Sequence, residues 1–153
     1  MMNADVNREI EEELVSVLNG KLESLRIYLD PVQQIDSIVF SMSSGEMITL
    51  ANDMLDLDDR REEGSLVVSK GADGVDNDVI EIPVKSHLNP KRFVFHIHPT
   101  FGNKGICGFT FQLFGKKHSI FVGAAPYTLV FLSDLFNDTK KPEFALSDYQ
   151  ELD

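Results

Sequence analysis

The sequence predicts an α+β domain, a mixed β-sheet flanked by an N-terminal helix, and three observations carry that expectation. The first 30 residues hold apolar side chains at helical spacing. The rest of the chain breaks into short apolar, β-branched and aromatic runs divided by Gly, Asn, Asp and Pro. At 42% hydrophobic with 11 Phe among 153 residues, the chain is apolar enough to bury one core, so residues 1–153 are expected to form a single domain.

The helix is predicted over residues 7–29, where Ile10, Leu14, Val17, Leu18, Leu22, Leu25 and Leu29 line one face. Asp5 or Asn7 would cap its start, Glu9 and Glu11 to Glu13 suit the positive end of its dipole, and Asp30-Pro31 would end it. Strands are expected over 35–42 and 46–51, around the turn Ser43-Ser44-Gly45. Residues 52–63, with six carboxylates, read as an acidic loop or short helix. Further strands are expected over 65–69, 79–84, 91–99, 109–114 (strand or short helix), 118–123 and 127–133, with a polar tail from Asn137 that ends loosely. Tyr127, Phe109, Phe111 and Phe114 read as core.

Net charge is −11, which argues against a general nucleic-acid binder. The distribution is uneven. From Ile82 to Ser133 there is no Asp or Glu, while Lys85, Lys91, Arg92, Lys104, Lys116 and Lys117 all fall there. That stretch is either mostly buried strand or a surface that favours an anionic group, such as a peptide carboxylate or a phosphate. No apolar run is long enough to span a bilayer, the first 13 residues are too acidic for a secretory signal, and the one cysteine, Cys107, fits a reducing compartment. A cytoplasmic protein is expected.

The segment Phe95-His96-Ile97-His98-Pro99 carries the sharpest chemistry. On a strand, Phe93, Phe95 and Ile97 would face the core and His96 and His98 the opposite side, their Cα atoms about 6–7 Å apart, near enough for both rings to hold one ion. Cys107 and His118 are the next metal ligands in sequence.

His96-Ile97-His98-Pro99, followed by Thr100-Phe101-Gly102, resembles the His-x-His-Pro segment of the JAMM/MPN (JAB-type) metalloproteases. Glu62-Glu63-Gly64-Ser65-Leu66-Val67-Val68 is similar to that family's Glu-x-Gly strand. The resemblance is strongest over residues 60–133. It implies a JAMM/MPN-like fold and a zinc-dependent peptidase or isopeptidase, with His96 and His98 as ligands, Glu62 as the base that takes a proton from zinc-bound water, and a protein or peptide as substrate. Phe109 and Ile106 stand where the family carries its third ligand, Asp, and its Ser. The site then needs Cys107 or His118 to hold zinc, and otherwise binds it weakly. That departure implies the alternatives: a non-catalytic protein-interaction domain of the same family, or an unrelated small fold that binds a metal or an anionic ligand at the histidine pair.

Overall fold

The computed structural model describes residues 2–56, 62–71, 78–97, 106–123, 127–136 and 149–151, with side chains over 10–53, 66–71, 78–97, 106–123, 127–136, 149 and 151. Among the described residues, one α-helix, α1 (Met2–Val17), precedes ten strands. These are β1 (Gly20–Leu29), β2 (Ile35–Met42), β3 (Met47–Asp56), β4 (Glu62–Lys70), β5 (Asp78–Leu88), β6 (Val94–Ile97), β7 (Gly108–Leu113), β8 (Lys116–Val122), β9 (Leu129–Leu132) and β10 (Gln150–Glu151). All pair antiparallel in one curled sheet of order β10-β6-β7-β8-β9-β2-β1-β5, with the β3–β4 hairpin joined to β2.

This corrects the expected fold class. The protein is mostly β, its sheet is antiparallel rather than mixed, and one short helix does not make a helix-flanked JAMM/MPN-like α+β domain. The main cause lies in residues 20–29. Gly20 adopts φ +137, which a side-chain-bearing residue rarely takes. The chain turns there, and residues 20–29 become β1 instead of the second half of a helix. Leu22, Leu25 and Leu29 fit helical spacing, yet Leu25, Ile27 and Leu29 also alternate, and the strand buries all four of these apolar residues. Asp5 and Asn7 lie inside α1 rather than at its cap. Asp30 ends β1 in an Asx turn, its Oδ1 accepting from Val32 N at 3.0 Å and Gln34 N at 2.9 Å.

Strand β2 keeps its expected bounds. The acidic stretch does not: β3 runs on to Asp56 and β4 starts at Glu62, so part of the expected loop is a ladder in which Leu55 pairs with Glu63 and Asp56 with Glu62. The expected strand over 91–99 begins as a 3-10 turn at Pro90–Arg92, capped by the Asn89 side chain on Lys91 N at 3.1 Å, and becomes extended only at Val94.

One face of the sheet, with α1, encloses the core. Leu14, Val17 and Leu18 from the helix region join Leu22, Leu25, Ile27, Ile38 and Leu50. Phenylalanines tie the strands together: Phe109 stacks on Phe95 (5.3 Å between centroids) and on Phe111 (5.5 Å), and Phe40 meets the edge of Phe111 at 5.3 Å. Each such contact contributes about 0.5–1.5 kcal/mol beyond the burial of its area. Phe109 and Phe111 are core as expected. Phe114 and Tyr127 are not. They sit at turns with φ 56 and 62 and are 61% and 55% exposed. No described helix is long and apolar enough to cross a membrane.

Candidate functional site

Pro90 and the 3-10 turn precede β6, and its apolar-polar alternation (Val94-Phe95-His96-Ile97) gives it one buried face. Phe95 enters the core while the His96 ring lies on the opposite face, half-buried. Register places Gly108 of β7 beside His96, and Phe121 of β8 beside Gly108. A Cβ at Gly108 would lie 2.6 Å from the Phe121 ring and 3.0 Å from His96 Cβ, so only glycine lets those two side chains meet above it. Their ring centroids are 5.1 Å apart.

A polar relay crosses three strands on this face. His96 Nε2 is 2.8 Å from Thr110 Oγ1, and Thr110 Oγ1 is 2.7 Å from Ser119 Oγ. Thr110 is buried and Ser119 half-buried, so the chain of hydroxyls satisfies groups that water reaches poorly. Burial holds the His96 pKa below the ordinary imidazole value of 6.5, and the Glu151 carboxylate pulls it partly back up. Glu151 stands opposite His96 in the β10–β6 pair. The residue two before it, Tyr149, packs on Phe121 with centroids 4.6 Å apart.

The other residues expected at a metal site are placed as follows. His118 belongs to the core face of β8. It is 1% exposed, its ring stacks on Phe111 (5.7 Å), its Nδ1 lies 2.7 Å from Ser133 Oγ, and its Nε2 donates to the Leu113 carbonyl at 3.3 Å. His96 and His118 therefore sit on opposite faces of the sheet. Cys107 is buried in the core. Its amide donates to the His96 carbonyl at 2.9 Å, and its thiol lies 3.5 Å from the same oxygen, on the main chain rather than the ring. Glu62 opens β4, opposite Asp56, and its side chain is outside the described residues, as is the whole of His98. A hydrogen bond links β4 to this region from Leu66 N to the Ile106 carbonyl, four residues or about 13 Å along the strand from Glu62. Among the described residues, no three of His, Cys, Asp and Glu come together as a metal-binding group.

Thr110, Ser119, Phe121, Tyr149 and Glu151 were not visible as site residues in the sequence. The one signal in the sequence is the small residue Gly108 at the head of the aromatic-rich strand β7. Tyr149 and Glu151 gave none, since a polar tail carries no periodicity from which pairing can be read. No family model, no curated protein and no solved structure matches the chain.

Proposed function

We propose that this protein is a non-catalytic protein-interaction domain whose His96 face receives an acidic, extended segment of a partner protein. The observation that carries the reading is electrostatic and positional. The stretch from Ile82 to Ser133 has six basic residues and no carboxylate; strands β6 to β9 are built from it, and the acidic tail lays Glu151 beside His96. Lys91 and Arg92 precede β6, and Lys117 shares the sheet face of Ser119 and Phe121 by alternation; all three are exposed. An extended chain added at a strand edge draws affinity from main-chain hydrogen bonds and selectivity from alternate side chains, and complementary charge steers its approach.

The resemblance behind a zinc-dependent peptidase also implies a JAMM/MPN-like α+β fold, which the mostly antiparallel β-sheet is not, and the Nε2 of His96 lies 2.8 Å from the Thr110 hydroxyl. A cytoplasmic setting is part of this reading, since the chain has a single cysteine, Cys107, and it is buried.

The test is selection of binders to the full chain from a displayed library of random peptides, followed by mapping each binder through backbone amide shifts. The reading expects acidic peptides that perturb Val94–Ile97, Gly108 and Phe121 and stay intact after incubation with zinc. Binders that map to β5 or α1 would overturn it, as would cleavage that disappears in His96→Ala.

A further inference from the structure

We infer that the tail strand β10 is an autoinhibitory stand-in for the partner, and that the site selects an extended peptide with an aromatic residue two positions before a carboxylate. This rests on the protein-interaction reading above and adds its recognition rule and its regulation.

The geometry of residues 149–151 supplies the argument. Gln150 pairs with Ile97 and Glu151 with His96, antiparallel, so the tail fills the edge of β6 that β7 leaves open. Alternate residues of an extended chain point to the same side. Tyr149 and Glu151 therefore act together, the first packing its ring on Phe121 at a tilt and the second standing opposite His96. Phe121 also touches His96, so ring and charge are read by one contiguous patch over Gly108. The anchors match in chemistry as well. An aromatic face is offered to an aromatic side chain, and a carboxylate stands opposite an imidazole within a segment that holds no carboxylate of its own.

Among the described residues, β10 makes two residue pairs with β6. Glu151 is exposed and Tyr149 only half-buried. Tyr149 supplies the apolar anchor of the segment, and Glu151 presents a charged residue at a position from which a competing chain can take it. A partner peptide of the same pattern displaces the tail, and the tail in turn weakens every ligand by the fraction of time it occupies the edge.

The test uses a fluorescent peptide of residues 145–153, added to the full wild-type chain and to the full chain bearing Tyr149→Ala and Glu151→Gln, with anisotropy as readout. The variant should bind at least tenfold more tightly than wild type, and a peptide with its own Tyr changed to Ala should bind neither. In the wild-type chain, excess peptide should speed amide exchange at Gln150 and Glu151; this measurement stands even if the variant folds poorly. Equal affinity for the two chains, or no acceleration of exchange, overturns the inference. So does a mass that doubles with concentration through tail exchange, since the tail would then be a dimer contact. If library peptides bind at β6 while the tail peptide does not, the interaction reading survives and this inference alone fails.

Discussion

The two ends of the sheet handle an exposed strand edge in opposite ways. β5 is eleven residues long, hydrogen-bonds only β1 among the described strands, and leaves Val79 and Ile80 50% and 40% exposed. It is defended by its own sequence. Pro83 has no N–H to offer a new neighbour, Lys85 adopts φ 52 where the register with β1 slips, and Glu81, Lys85 and His87 are exposed along it. β6 is only four residues long and carries no such device. It is covered instead by the tail, with a histidine, a glycine and a phenylalanine shaped beneath. An edge that is merely protected needs charge and irregularity, whereas an edge that receives a chain needs a regular ladder and a place for side chains. β6 has both.

The largest expected effect breaks the β6 end. Phe121 is 5% exposed and touches both His96 and Tyr149. Phe121→Ala should cost about 3–5 kcal/mol of unfolding free energy through lost burial and the cavity left behind. The matched change at the other end, Ile80→Ala, removes a side chain that is already 40% exposed and should stay within about 1 kcal/mol. Denaturant unfolding of both variants checks the contrast. Similar losses would mean that the His96 face is no better packed than the bare edge.

A smaller effect sharpens the role of the tail. The folded pKa of His96 lies below its unfolded value near 6.5, so the unfolded chain binds the proton more readily. The stabilisation is therefore full above that value and is lost as pH falls through the folded pKa. Unfolding free energy should decline with acidification below about pH 6.5, and His96→Asn should remove that part of the slope. Glu151→Gln should move the His96 titration, followed by ring proton shifts, further toward acid, because the carboxylate supports the charged form. An unchanged titration would show that β10 does not place its charge at the ring in solution.

What could be read from the sequence depended on how local the cause was. The β2 bounds were legible because an apolar run ends at a turn of Ser and Gly, and both signals lie within ten residues. Phe95 and His96 were assigned to opposite faces because alternation is a property of any strand; the same rule could not show that His118, two strands away, would point into the core. Helical spacing runs past the true end of α1 because leucines at 22, 25 and 29 satisfy two periodicities, and only Gly20, with Ile27-Tyr28 favouring strand, points to the second. The family resemblance rested on a short histidine segment, and sheet order is set by long-range pairing that such a segment does not encode. The contact of Tyr149 with Phe121 joins residues 28 positions apart and leaves no local trace.

The smallest expected change in stability concerns the defence of β5. Pro83 pairs in register with Ser24 of β1 and is exposed. Pro83→Thr should alter the unfolding free energy by no more than about 0.5 kcal/mol, since the substituted side chain is exposed and the β1 ladder persists on either side. Its consequence should appear between molecules. Restoring an N–H to an edge that already exposes Val79 and Ile80 gives a second chain a longer run of backbone to pair with. Sedimentation should then show an average mass that rises with concentration more steeply than in wild type, and Glu81→Ala in the same chain should steepen it further by removing a charge from the edge. Tail-peptide binding at β6 should be unaffected, because that site lies at the other end of the sheet order. If Pro83→Thr instead left self-association unchanged, the proline would not be the guard, and the left-handed Lys85 with the exposed charges would have to keep β5 unpaired without it.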